Sequence, residues 1–405
     1  MTRLGDVCAI RYGKDHKKLS DGSIPAYGSG GIIRYVDTAI CEKPSVLIPR
    51  KGTLGNLFYT DKPFWTVDTL FWTNIDQTKI VPKYLYYQLK QKDLASYNVG
   101  TAVPSLTVEI LNEIDFEVPS IDKQKRIVEV LNSFDSKIAL NNQLNDYLEQ
   151  LVDGKFQELF GGLNFNATLS DVAEITMGQS PAGSSYNEEG AGIIFYQGRG
   201  EFGWRFPKRR LYTTEPKRLA CEGDVLMSVR APVGDLNVAF ENCCIGRGLA
   251  AIHSETPSFA LYLMRFLKPQ LEAYNGEGTV FGSINGKALK SLEVALPSHN
   301  EVMQFESFAA PIDALIRSNE NETRKLNNLR NYLLPKLMSG EIDVSKVDLT
   351  QLTNNHLAGR MHWSTVIRVR AIHAVHSRQS QIPAYESVPR VPRVPRVLHS
   401  HVTPP

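Results

Sequence analysis

The sequence predicts a mixed α/β protein in which one plan, a globular domain followed by a long helix, is used twice, the two helices packing as an antiparallel coiled coil. Three observations lead there. Residues of matching character recur at an offset of 178 positions between Gly100-Thr101 to Gly162 and Gly278-Thr279 to Gly340, among them Ser105/Ser283, Pro119/Pro297, Asp135/Asp313, Asn141/Asn319, Leu148/Leu326 and Leu159/Leu337. Earlier in the chain, Leu4-Gly5-Asp6-Val7 answers Leu169-Ser170-Asp171-Val172 at an offset of 165, and Cys41-Glu42 answers Cys221-Glu222. That period is too long for a solenoid and means two copies of a whole domain. The second observation is a sharp change of composition at Asp122, where an irregular Gly- and Pro-rich stretch gives way to helical periodicity. The third is the short linker Gly161-Gly162-Leu163-Asn164-Phe165: with the second domain at the far end of the first helix, its own helix must run back along the first.

In the first copy, 1–120, short β-like runs such as Ser45-Val46-Leu47-Ile48 and Phe71-Trp72-Thr73-Asn74-Ile75 alternate with turns. A helix is expected from Pro82 to Leu94, a shorter one from Thr107 to Glu113, and a strand from Ile114 to Val118 before Pro119 punctuates the chain. Residues 121–162 form the first long helix. Its seam alternates steps of three and four through Ile127, Leu131, Phe134, Ile138, Asn141, Asn145, Leu148, Val152 and Leu159. The second globular part, 163–298, contains the strand-like Gly223 to Val229 and a helical Ser258 to Leu267.

The second long helix, 299–345, carries the seam Phe305, Ala309, Ile312, Ile316, Asn319, Thr323, Leu326, Leu333 and Leu337. Pro311 implies a bend or a fresh start within it. Polar residues in mid-seam either fix pairing and register or face solvent or another protein; the sequence leaves both open. Asn141, Asn145, Leu148, Asn319 and Leu326 are therefore candidates for helix pairing or partner docking. Residues 350–405, with seven Arg, no Lys and three Val-Pro-Arg repeats, read as a disordered and non-native extension without function.

The totals narrow the class. A chain of 405 residues has room for two or three domains. The start of the chain does not read as a signal peptide and no apolar run is long enough for a membrane, so a cytoplasmic protein is expected. Five cysteines, with Cys243-Cys244 adjacent, suit neither a disulfide framework nor a zinc site. The formal charge of +2 hides a tail of +6 and a body of −4, so any basic face must be local.

No catalytic signature emerges. Gly282-Ser283-Ile284-Asn285-Gly286-Lys287 falls one residue short of a phosphate loop, and Ala288 stands where Ser or Thr is needed. The run Gly28-Ser29-Gly30-Gly31 opens no helix and reads as a turn. There is no Asn-Pro-Pro-aromatic tetrapeptide of an amino-methyltransferase, and His16, His253 and His299 are isolated. A body this long without a catalytic constellation is expected to recognise rather than react. Gly-flanked Tyr27, Ser29, Arg50 and Lys51 in the first domain, with Gln197, Arg199, Arg209, Arg230 and Arg247 in the second, suit DNA: glycine admits phosphates, Arg pairs with guanine and Gln with adenine. Arg50 and Arg230 stand out as matching positions of the two copies.

Ile24-Pro25-Ala26-Tyr27-Gly28-Ser29-Gly30-Gly31-Ile32, Pro49-Arg50-Lys51-Gly52, Met227 to Gly234, Cys244 to Leu249 and the closing Leu334 to Ile342, set in the duplicated plan, resemble the specificity (S) subunit family of type I restriction-modification systems. The resemblance spans residues 1–348. It implies two target-recognition domains, each reading half of a bipartite double-stranded DNA site through the major groove, with the helices setting the spacer. It also implies a non-catalytic chain holding two methyltransferase subunits and, where present, two restriction subunits. The cofactors, S-adenosylmethionine, ATP and Mg, would sit on those partners and none on this chain. The rival readings are a repeat scaffold that binds only protein, and a self-contained methyltransferase or nuclease, which the missing motifs disfavour.

Overall fold

The computed structural model describes residues 1–100, 103–276 and 282–346. The extension at 350–405 and the repeat positions Thr101, Gly278 and Thr279 lie outside the described residues.

In the first half, β1 (Cys8–Tyr12), β2 (Asp21–Gly28), β3 (Gly31–Val36), β4 (Ser45–Pro49), β5 (Phe58–Thr60), β6 (Trp65–Thr66) and β7 (Leu70–Ile75) form two sheets. One is antiparallel, in the order β1-β7-β4-β5. The other, β3-β2-β6, pairs β2 parallel with β6. Val46, Leu47 and Ile48 are fully buried, as an unbroken apolar run in an inner strand requires. Three helices follow: α1 (Pro82–Lys90), α2 (Val108–Asn112) and α3 (Ile121–Phe160). Helix α1 stops short of the expected Leu94, because the Asp93 side chain caps a separate 3-10 turn over Leu94–Tyr97. The expected strand at 114–118 shrinks to Asp115–Phe116, which pairs with Thr2–Arg3.

The second half repeats the plan. Strands β8 (Glu174–Met177), β9 (Tyr186–Asn187), β10 (Ile193–Tyr196), β11 (Leu211–Thr213), β12 (Leu219–Ala220), β13 (Val225–Ser228), β14 (Leu236–Val238), β15 (Cys243–Ile245) and β16 (Leu249–His253) again make two sheets. Their orders are β8-β16-β13-β14 and β9-β11-β10-β15-β12, with β10 parallel to β15. Helices α4 (Pro257–Phe266), α5 (Gly286–Lys290) and α6 (His299–Met338) complete it, α6 opening on a Ser298/Glu301 capping box. Ala167–Thr168 pairs with Glu293–Val294 as Thr2–Arg3 does with Asp115–Phe116.

Helices α3 and α6, 40 residues each and so about 60 Å long, pack antiparallel. As numbers rise on one they fall on the other: Asp135 meets Arg330 at 2.8 Å, Asn141 donates to Thr323 at 3.4 Å, and Asn319 donates to Asn145 Oδ1 at 2.8 Å. Asn141 and Asn145 are each 1% exposed, so mid-seam is interior and hydrogen-bonded. Because Asn319 is the repeat of Asn141 and Thr323 that of Asn145, the two bonds exchange under the duplication. A pseudo-two-fold axis passes between them. Leu148 is buried in the seam, while Leu326 is only half-buried.

The expected seam needs three corrections. Beyond Val152 the buried positions are Phe156 and Phe160, and Leu159 is exposed, because α3 there turns toward a ring cluster of Phe259, Phe266 and Phe305. On α6 Leu334 is buried where Leu333 was expected. Helix α6 runs on through Pro311 with no fresh start there: the proline removes a single backbone donor, and Ala309 and Ile312 on either side stay in the core.

Each globular part is held to the rod by a tyrosine from the helix after its sheets. In the first half the Tyr87 hydroxyl donates to Asp135, which also pairs with Arg330 of the opposite helix. In the second the Tyr262 hydroxyl donates to Asp313 at 3.1 Å, and the cation is Arg205, 3% exposed, lying 3.1 Å from both Asp313 and Glu149. No described helix is long and apolar enough to cross a membrane.

Candidate nucleic-acid interface

Strands β10 and β15 end side by side, and the loops that leave them converge with the loop after β13. Gly246 N donates to Tyr196 O at 2.8 Å and Val229 N to Gly248 O at 3.0 Å. The segment at 282–284 closes against them: Ile284 N donates to Val229 O, Ala231 N to Gly282 O, and Arg230 bridges Ser283. Glycine is needed here, since a Cβ on Gly246 or Gly248 would lie within 2.9 Å of the Gln197 carbonyl oxygen. Ser228 Oγ, accepting from Asp235 N and donating to Pro232 O, ties down the loop that carries Arg230.

The result is a concavity of about 260 Å³ lined by Gln197, Arg199, Arg230 and Arg247 together with small residues. Arg199 is paired with Asp235. The side chains of Gln197, Arg230 and Arg247 are exposed and have no hydrogen-bond or ion-pair partner among the described residues. Arg209 stands apart, paired with Glu241 at 2.6 Å.

The same bonds recur in the first half. Val67 N donates to Tyr27 O, Arg50 N to Thr69 O, Leu106 N to Arg50 O and Gly52 N to Pro104 O, while Lys51 bridges Ser105. This network makes Lys51, not Arg50, the counterpart of Arg230, and makes Arg50 the counterpart of the buried Val229. The expected match of Arg50 with Arg230 is off by one residue, and in extended chain one residue reverses the face. Accordingly Arg50 folds back, donating from Nη1 to the Asp68 carbonyl at 3.1 Å with its guanidinium 5.3 Å from the Tyr12 ring centroid. Lys51 is exposed.

Tyr27 is half-buried against Phe58, and burial raises its hydroxyl pKa; its counterpart Tyr196 is wholly buried. Ser29, on the turn between β2 and β3, lies beside Gly52, whose φ of +89° suits glycine, and its carbonyl accepts from Asn56. The fold thus gathers Gln197, Arg199, Arg230 and Arg247 in one half, and Ser29 with Lys51 in the other. It turns Tyr27 and Arg50 inward and leaves Arg209 aside.

Sequence reasoning missed two features. Asp68, exposed and with an unpartnered carboxylate among the described residues, occupies the position of Arg247: each lies two residues past the parallel-strand pairs Tyr27/Thr66 and Tyr196/Ile245. Tracking the offset of 179 that relates Lys51 to Arg230 would have found it. The other is a group of Cys221, Asp224 and His253, whose donor atoms lie within 4.8 Å of one another. There His253 Nδ1 and Asp224 Oδ1 already bond at 2.6 Å, and this bond raises the imidazole pKa.

A family model described as Type I restriction modification DNA specificity domain matches residues 1–150 and 166–331. The chain is 34% identical over 298 residues to the specificity subunit assigned to type I restriction enzyme MjaX of Methanocaldococcus jannaschii, covering 66% of this chain and 70% of that one. With the MjaIX specificity subunit of the same organism it shares 23% over 360 residues, covering 78% and 81%. A crystal structure of a type I restriction-modification S subunit from M. genitalium aligns with a TM-score of 0.56 at 17% identity, over 83% of this chain and 95% of that one, a similarity of fold.

Proposed function

Because this chain belongs to the type I restriction modification DNA specificity family, we propose that it selects the DNA sequence for a methylating and restricting complex while taking no part in the chemistry. Residues 1–120 and 163–298 are the reading heads, each engaging one half of a split double-stranded site. Residues 121–162 and 299–345 form the rod that sets the unread interval. The observation that carries this reading is the recurrence of one backbone frame near both ends of the rod, with Lys51 on one and Gln197, Arg230 and Arg247 on the other, each side chain without a partner among the described residues. Free cations and amides on glycine-supported loops match phosphates and base edges in the major groove.

The pseudo-two-fold rod suits two identical partners. Leu151 and Leu329, related by the repeat, are exposed at 40% and 42%, and they offer equivalent apolar footholds for two methyltransferase subunits. Restriction subunits would join through those, and S-adenosylmethionine, ATP and Mg²⁺ would be bound by the partners. The body charge of −4 is compatible with partners that help embrace the DNA, and the complex would work in the cytoplasm. The test is Arg230→Ala, co-expressed with the methyltransferase. Assembly should be intact and methylation of the cognate site should fall roughly tenfold or more, as loss of a charged DNA contact requires; undiminished methylation in cells overturns the assignment.

A further inference from the structure

The shared frame aligns the two heads position by position, and two positions behave differently. At one, the charge is kept: Lys51 in the first head, Arg230 in the second, each on a β-bridge to a repeat-related serine. At the other, it is inverted: Asp68 in the first head, Arg247 in the second. None of these four side chains has a hydrogen-bond or ion-pair partner among the described residues.

A position that met the phosphate backbone could not carry a carboxylate in one head and a guanidinium in the other, because the carboxylate would be repelled. Base edges do accept both signs. The major groove shows acceptors at guanine O6 and N7, and amino donors at cytosine N4 and adenine N6. Resting on the reading proposed above, we infer that Asp68 and Arg247 occupy a base-reading position, whereas Lys51 and Arg230 occupy a phosphate-holding one. Arg247 donates its two-pronged guanidinium to a guanine in the half-site of the second head. Asp68 accepts from the exocyclic amino group of a cytosine or an adenine in the half-site of the first.

Arg247→Ala, Arg247→Lys, Asp68→Ala and Arg230→Ala are each assembled with the methyltransferase. The methylated motif is then read across the genome, and binding is competed with duplexes changed at one base pair at a time. Replacing adenine by purine, or cytosine by 2-pyrimidinone, removes only the amino group, and the position where this costs binding in the wild-type complex but not in Asp68→Ala is the base that Asp68 meets. Expected for Arg247→Ala is a relaxation of roughly 10- to 100-fold at one guanine of one half-site, the other half-site unchanged. Arg247→Lys should relax it similarly, since Lys keeps the charge and loses the fork. Asp68→Ala should relax one amino-bearing position of the opposite half-site. Arg230→Ala should weaken all duplexes alike and leave the motif intact.

The inference is overturned if a split motif is read by the wild type and base preference is unchanged in both alanine variants at 68 and 247. It is overturned equally if Arg247→Lys keeps full preference, or if Arg247→Ala lowers binding to every duplex by the same factor. A wild-type complex that reads no split motif sinks the proposed function itself, a result distinct from either.

Discussion

Replacing Arg205 by methionine tests how firmly the second head is bound to the rod. Arg205 reaches Glu149 on α3, Asp313 on α6 and the Tyr262 hydroxyl, each at 3.1 Å. The consequences for the two carboxylates differ. Glu149 keeps a second cation, Arg265 at 2.9 Å, whereas among the described residues Asp313 is left with the Tyr262 hydroxyl. Breaking a buried pair costs about 3–5 kcal/mol when one charge is left uncompensated. Asp313 is 20% exposed and one hydrogen bond survives, so the loss belongs near 3 kcal/mol. At roughly 2 °C per kcal/mol for a unit of this size, the melting temperature should fall by about 6 °C. Adding Asp313→Asn removes the stranded charge while keeping an acceptor for Tyr262, and should recover about half of the loss. Thermal and urea unfolding of the single and double variants provide the measurement. A single variant within about 1 kcal/mol of wild type, or a double no more stable than the single, refutes the reasoning.

Two further predictions follow from the rod and from the Cys221 cluster. Asn145→Leu strands the Asn319 amide in the seam and removes a donor from Glu320, and should cost about 1–3 kcal/mol; the double change with Asn319→Leu should return the part due to the stranded amide, and a strictly additive double-mutant cycle is the contrary result. His253 has its pKa raised by its bond to Asp224, so its contribution to stability is complete below the ordinary imidazole range and is lost as pH rises through the elevated value. The stability gap between wild type and His253→Gln should therefore narrow as pH rises above the ordinary imidazole range, and a gap independent of pH contradicts the pairing.

The long helices were legible because their signal is carried by composition and period, which act over many residues. The ends of the first were legible too, since Pro119 and the glycines at 161 and 162 flank it; the second stops at Met338, short of the expected 345. The seam failed beyond Val152, where partner spacing gives way to a ring cluster that no single-helix pattern contains. The reading heads were harder. Insertions make the distance between copies drift from 165 at Leu4 to 169 at Tyr27, 179 at Lys51, 175 at Tyr87 and 178 at Asn141. An error of one residue at Arg50 was enough to choose a side chain that folds back onto Tyr12 over one that points outward. Asp68 escaped because a search for basic residues cannot see a carboxylate at the matching place. Three-dimensional neighbours such as Asp224 and His253, 29 residues apart, leave no local trace at all.

The loops at the ends of the rod are shaped by main-chain amides, carbonyls and a few glycines, while the groups at 51, 68, 230 and 247 hang outside that scaffold. On the proposed reading, stability and target choice are thereby written in different atoms. If Asp68 and Arg247 read bases as inferred, a lineage can exchange one address for another by point changes at those two sites while folding, assembly and the interval between half-sites are inherited untouched.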